Sequence, residues 1–334
     1  MAFVTYGCVA GFFYKDKRMR NEWLTEEYPD DATLEREWRE YQEERDRKLN
    51  DFDEWESIDS LRLVDRDLSG MHYSMDYAGK RKNRKSWYCE YGGSVGIEEA
   101  VYIREAADGK IRYQVVGRNM SENSVMDFTT QFGMFHSEDN GEFGGELITP
   151  GGKRIGGHYK WIFDLKDKVY AISSFCHFTI AQTSIDRFDT ESDYKCIYTA
   201  GYNSYLKKII NGENTDRSES FICEAVDLKD EEAFVAISGL IDNKDINTHI
   251  NILRLLRIKD GNVEVVKELS GKVPSRINNI IVEGDTLYLS CDKMVCLINL
   301  ADKGINSGVT YKTCLSPEDE ANLLDTESKR GFYQ

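Results

Sequence analysis

Four stretches of the chain repeat one pattern, in which an alternating apolar strand, a short charged turn and a second alternating strand follow one another. The copies lie at 101–116, 163–173, 226–238 and 281–290. Alternation with a period of two is typical of strands that bury one face, and a short polar or glycine-containing turn is typical of a hairpin. Because the copies recur at intervals of roughly 50–65 residues, the pattern predicts stacked β units.

Three of these hairpins are followed by a further alternating segment, at 178–188, 250–258 and 295–300. Repeated antiparallel units of this kind resemble the blades of β-propellers. The resemblance is architectural, since the Trp-Asp, kelch and Asp-box motifs of particular families are missing from the sequence. It implies a mainly β fold, a propeller-like array of about five antiparallel blades over residues 86–315, with a large β-sandwich as the alternative.

The chain ahead of the repeats is charged and is expected to be helical. Residues 1–85 are predicted to contain an N-terminal strand, a helical region at 15–60 and a basic linker at 80–85. Asp30 and Asp31 offer carboxylates that cap a helix, and aromatic and aliphatic residues then follow at helical spacing. Residues 316–334 are predicted to form an acidic C-terminal tail.

The formal net charge of −16 is dispersed along the chain rather than concentrated in one segment. A negative field of this size disfavours direct contact with nucleic acid and with anionic membranes, and it attracts basic proteins. The eight cysteines form no C-x-x-C motif, which is typical of reduced thiols in a cytoplasm. The apolar N-terminal segment at 2–14 is shorter than the ~20 residues that cross a bilayer. We therefore expect a cytoplasmic protein without a membrane partner.

The densest polar segment is predicted to bind a partner. It contains four carboxylates and an imidazole, those of His136, Glu138, Asp139, Glu142 and Glu146. Asn140 and Gly141 predict a hairpin turn at its centre. The spacing does not match a calcium-binding EF-hand loop, and we predict neither a metal site nor a cofactor. Charge at such a loop supplies steering and specificity for a basic protein.

No catalytic residue is predicted. Cys176 and His177 are neighbours, so on a strand their side chains point to opposite faces, and the G-x-S-x-G and H-E-x-x-H motifs do not occur. We expect a non-enzymatic protein-binding module, in its most concrete form an inhibitor or immunity protein that neutralises a basic, nuclease-type toxin. Two alternatives stay open: a glycan-directed hydrolase with paired carboxylates, and a scaffold subunit whose charged helix at 32–58 docks on a larger assembly.

Overall fold

The fold is known from a computed structural model. It describes residues 31–64, 86–88, 94–119, 124–139, 144–177, 180–201, 217–243, 248–271, 273–274, 277–291 and 294–318. The expected N-terminal strand, the basic linker, Glu142 and most of the C-terminal tail lie outside these residues. The chain divides into two compact units. They are Met1–Glu44 with Trp87–Ser94, and Arg45–Ser86 with Val95–Gln334.

The helix α1 (Asp31–Asn50) confirms the expectation of a helix near the N-terminus, but it ends at Asn50. The Asn50 side-chain amide donates to the Asp46 carbonyl (2.8 Å), and the indole of the buried Trp55 donates to the Lys48 carbonyl (3.1 Å). The bond from Trp55 satisfies one of the carbonyls that a helix end leaves without partners. The prediction that the helix continues to residue 60 is therefore wrong, because a 3-10 turn (Phe52–Glu54) follows Asn50.

Antiparallel strands make up most of the larger unit, and the strands of the second, third and fourth sheets follow one another in chain order. The second sheet contains β6 (Ser124–Thr130), β7 (Gly133–Asp139), β8 (Gly145–Ile148) and β9 (Arg154–Gly156), and the third contains β10 (Tyr159–Leu165), β11 (Lys168–His177), β12 (Ile180–Phe188) and β13 (Tyr194–Gly201). The fourth sheet contains β14 (Arg217–Lys229), β15 (Glu232–Asn243), β16 (Thr248–Lys259) and β17 (Asn262–Ser270). The fifth contains β18 (Asn279–Glu283), β19 (Thr286–Ser290), β20 (Met294–Asn299) and β21 (Val309–Thr313).

The first sheet and the edge of the fifth sheet take strands from the N-terminal part of the chain. The first sheet pairs β4 (Ser94–Glu105) with β5 (Ile111–Asn119), and β5 pairs in turn with β1 (Glu56–Ser57). The fifth sheet gains β2 (Arg62–Leu63) beside β21. The short strand β3 (Ser86–Tyr88) spans the point in the sequence, between Ser86 and Trp87, at which the chain passes from one unit to the other.

The four repeated hairpins of the sequence are the pairs β4–β5, β10–β11, β14–β15 and β18–β19, so the mainly β prediction is confirmed. The serine that ends three of the copies has a structural role. Ser173 Oγ accepts the His158 backbone N–H (3.0 Å), and Ser290 Oγ accepts that of Asn279 (3.1 Å). In both hairpins the hydroxyl therefore joins the end of the second strand to the beginning of the first.

Hydrophobic cores join the sheets in the order second, third, fourth, fifth and first. Each core takes side chains from two neighbouring sheets: Phe135, Leu147, Tyr159 and Phe188 between the second and third; Ile172, Ile185, Phe221 and Leu256 between the third and fourth; Leu253, Leu255, Leu287 and Ile298 between the fourth and fifth; Val101, Ile103, Ile281 and Val295 between the fifth and first. Burial of these side chains supplies the main driving force for folding.

Residues 55–64 form an N-terminal strap between the first and fifth sheets. The strap contributes β1 to one sheet and β2 to the other, and Ile58 and Leu61 are buried in the core between the two sheets. The Lys312 ammonium of the fifth sheet lies 3.3 Å from the Ile58 carbonyl. The strap therefore joins the sheets that stand at the beginning and the end of the repeat region.

Candidate functional site

The hairpin formed by β7 and β8 carries the predicted partner-binding residues and separates them onto two faces. Asp139 pairs with Gly145, so the two strands form a hairpin at the predicted position. Because side chains alternate along a strand, Glu138 lies on one face of the second sheet and Asp139 on the other. His136 and Glu146 share the face of Glu138. The structure therefore separates the three described carboxylates, with Glu138 and Glu146 on one face and Asp139 on the other.

The face of the second sheet turned away from the third sheet is called here the open face. It presents Val125, Asp127, Met134, His136, Glu138 and Glu146. The exposed fraction is 70% for Val125 and 59% for Met134. Among the described residues, no hydrophobic core covers this face, unlike the four junctions between sheets. Apolar side chains surrounded by charged ones are the usual composition of a protein interface.

His136 and Arg154 partly offset the negative charge of the carboxylates on the open face. His136 Nδ1 lies 2.6 Å from Asp127 Oδ1, and its Nε2 lies 3.3 Å from Glu138 Oε1. The hydrogen bond to Asp127, and then that to Glu138, raises the pKa of His136. Both ring nitrogens can donate only in the imidazolium form, so this geometry favours the charged histidine. Glu146 pairs with Arg154 (2.8 Å). The open face is therefore acidic, but less so than its carboxylates alone suggest.

Asp139 lies instead between the second and third sheets, where it forms a buried pair with His158. Asp139 Oδ1 is 2.8 Å from His158 Nδ1, and their side chains are 6% and 10% exposed. Phe175 stacks on the imidazole with a centroid separation of 4.6 Å. Gly157, directly before His158, lets the Tyr159 ring pack closely against the backbone. A Cβ at Gly157 would lie 2.8 Å from that ring, and the φ of +152° disfavours other residues.

A β-bulge places Lys160 beside this pair. The pairing of β10 with β11 shifts between Tyr159 and Trp161, so Lys160 is an extra residue on its strand. The Lys160 ammonium lies 4.0 Å from Asp139 Oδ2 and is 37% exposed. The strand β14 has a register shift of the same kind at Glu224. Bulges are common beside functional sites because they redirect a side chain.

A second buried carboxylate lies deeper in the same junction. The Tyr159 hydroxyl donates to Asp186 Oδ2 at 2.6 Å, and Asp186 is 4% exposed. Burial raises the pKa of Asp186, and burial together with the neighbouring carboxylate raises the pKa of Tyr159. Because the tyrosine hydroxyl stays protonated, it is a permanent donor to the carboxylate.

The described part of the chain contains no group of three or more His, Cys, Asp or Glu side chains that is arranged to hold a metal ion. Its helix lacks the combination of length and hydropathy that a bilayer-spanning segment needs. Comparison with models of known protein families finds no match, and comparison with curated proteins finds no significant similarity. Function is therefore inferred from geometry and charge.

Proposed function

We propose that the five sheets are the blades of a propeller-like ring. Support comes from the length of the connection between β5, which ends at Asn119, and β6, which begins at Ser124. Five residue steps reach at most about 18 Å. Packed sheets are spaced by ~10 Å, so a straight row in the observed order would place the first and second sheets ~40 Å apart. The short connection therefore favours a row that curves back on itself.

Within this ring we infer a non-enzymatic protein-binding function, and the open face carries the inference. In such a ring it is turned towards the first sheet, and because the described residues form no hydrophobic core shared by these two sheets, the ring stays open to a partner at this junction. Val125 and Met134 supply apolar anchors, while Asp127, Glu138 and Glu146 supply negative charge. A partner that fits has a basic surface around an apolar side chain.

The most concrete form of this function is a cytoplasmic inhibitor or immunity protein for a cationic nuclease. A nuclease binds phosphates through Lys and Arg side chains, and carboxylates at the same spacing satisfy those side chains. The dispersed net charge of −16 would speed the encounter with such a basic protein. The carboxylates of the open face would then hold the nuclease where its nucleic acid substrate otherwise binds.

Neutralising the open face is expected to abolish capture of the partner. In the test variant Asp127→Asn, Glu138→Gln and Glu146→Gln are combined, and bound proteins from the source cells are identified by mass spectrometry. The control variant combines Asp167→Asn, Asp193→Asn and Asp285→Asn, which removes the same charge at exposed positions of other sheets. We expect the control to retain a basic protein that the test variant binds at least about tenfold more weakly.

The two variants distinguish docking on the open face from attraction by net charge alone. Equal binding of one basic protein by the wild type and the test variant would contradict the open face as the docking surface. Equal loss in both variants would mean that only net charge attracts the partner. Met134→Ser then tests the apolar anchor, because a buried side chain at an interface centre contributes more than the charged rim.

A further inference from the structure

His136 lies between two carboxylates of the open face, and its two ring nitrogens contact different strands. Nδ1 is 2.6 Å from Asp127, the cross-strand neighbour on β6, and Nε2 is 3.3 Å from Glu138 of the same strand, β7. The histidine side chain is 32% exposed, so it exchanges protons with solvent. The imidazolium donates to both carboxylates at once, whereas the neutral ring has a single donor. Loss of one proton therefore ends one of the two contacts.

Glu138 is the carboxylate that deprotonation of the histidine releases. The contact with Asp127 is the shorter of the two, so the neutral ring keeps its proton on Nδ1 and turns the lone pair of Nε2 towards Glu138. In the strand register, Glu138 is the neighbour of Val125 on β6 and of Glu146 on β8. The released carboxylate therefore lies between an exposed apolar side chain and a second acid.

The other charged side chains on this face cannot take over the role of the histidine proton. On the described strands of the second sheet they are Asp127 on β6, Glu146 on β8 and Arg154 on β9. Arg154 contacts Glu146 instead, and among the described residues the cation that contacts Glu138 is His136. The hydrogen bond to Asp127, and then that to Glu138, raises the pKa of His136 above its ordinary value of 6.5. The proton is therefore lost at a pH above 6.5.

We propose that a basic partner displaces the proton of His136 when it binds to the open face, so that capture tightens as pH rises. Because this coupling requires a partner, it rests on the protein-binding function proposed above. An arginine or lysine of the partner takes the place of the imidazolium beside Glu138. At lower pH the imidazolium occupies this carboxylate and repels the incoming cation. By reciprocity, the bound partner lowers the pKa of His136.

A synthetic peptide of four arginines around one leucine, blocked at both ends, is the probe, because guanidinium groups stay charged at every pH used. Its Kd for the full chain is measured by calorimetry at pH 5.5 and pH 8.0. We expect the wild type to bind about fivefold more tightly at pH 8.0, the effect of one unit charge at contact distance in water. His136→Gln should lose most of this dependence. His249→Gln, the control on β16 of the fourth sheet, should keep it.

The variant that combines Asp127→Asn, Glu138→Gln and Glu146→Gln separates the two ways in which the coupling can fail. If it binds the peptide as tightly as the wild type at both pH values, the open face is not the docking surface and the coupling falls with it. If it loses binding, but the pH dependence survives in His136→Gln or is lost equally in His249→Gln, the docking surface stands and the coupling alone is wrong.

The titration of His136 gives a second readout that does not depend on the affinity of the peptide. The imidazole nitrogens are labelled with nitrogen-15, and His136→Gln assigns the signals among the five histidines of the chain. Saturating peptide should lower the pKa of His136, because the bound guanidinium groups disfavour the imidazolium. An unchanged pKa of His136 in the saturated protein would overturn the coupling.

Discussion

Leu61→Ala is expected to lower the free energy of unfolding by about 3 kcal/mol. Leu61 is 5% exposed and lies in the core between the first and fifth sheets, together with Val101, Ile103 and Val295. Removing a buried leucine loses its transfer free energy and leaves a cavity that the surrounding sheets fill only in part. Urea denaturation followed by fluorescence measures the loss. The sequence supplies five tryptophans as reporters.

Leu63→Ala is the matched control, because it removes the same atoms from the same strap. The Leu63 side chain is 54% exposed, so we expect a change within about 0.5 kcal/mol. Hydrogen exchange shows which part of the fold loses stability. The backbone N–H of Val101, which donates to the Cys291 carbonyl between the two sheets, should exchange faster in Leu61→Ala. Equal losses in the two leucine variants would contradict the role of the strap in joining the sheets.

Tyr159→Phe is the second substitution with a large expected effect, a loss of about 3 kcal/mol near neutral pH. It removes the hydroxyl that donates to the buried Asp186, and among the described residues this leaves the carboxylate with the Cys196 thiol as its one remaining donor. A buried charge that loses a donor incurs a desolvation cost that water no longer offsets. Tyr170→Phe is the control, since Tyr170 is also buried but has no carboxylate partner in the described structure.

The pH dependence of the stability of Asp186→Asn tests the same pair of residues by changing the acid instead of the tyrosine. Burial raises the pKa of Asp186 above its ordinary value of 3.8, so the folded state binds this proton more tightly than the unfolded state. The contribution of Asp186 to stability is therefore fully present below about pH 4 and is lost as pH rises through the raised folded pKa. The asparagine variant lacks this loss. Its stability relative to the wild type should therefore increase from pH 4 to pH 7.5, and a constant or decreasing difference would refute the assignment.

The repeated hairpins could be predicted from the sequence because each contains its own signal. Alternating apolar residues define the strands at 163–173 and 226–238, and the turns between them contain Lys166, Asp230 and Glu231 at positive φ. Local patterns of this kind need no information from distant parts of the chain. The third strand of each of three sheets, β12, β16 or β20, could be predicted from the same alternation.

The strap could not be predicted in this way. Its strands β1 and β2 are two residues long, and a period of two cannot be recognised in so short a segment. Their partners, β5 and β21, lie about 55 and 250 residues further along the chain. Tertiary contacts with two different sheets, rather than local propensity, determine the conformation of the strap.

At the candidate site the sequence predicts the hairpin, which the structure contains, whereas the role of its carboxylates in partner binding stays a prediction. Alternation along a strand implies that Glu138 and Asp139 face opposite ways. The partner of Asp139, His158, lies 19 residues further along the chain, in the connection between β9 and β10, and no local pattern predicts the contact. Gly157, directly before His158, is a signal in the sequence, since a glycine next to a strand allows another group to pack closely against the backbone.

The distance between the first and second sheets is the most direct test of the ring. Spin labels attached through a non-canonical amino acid at Lys110 and Met134, both exposed, mark the turn ends of the two sheets. The non-canonical residue avoids the eight cysteines of the chain. A ring that curves back and leaves only a gap at this junction predicts a narrow distribution below about 25 Å, whereas a straight row of five packed sheets predicts about 40 Å or more. The longer distance would contradict the ring, and with it the location of the open face at a junction between blades.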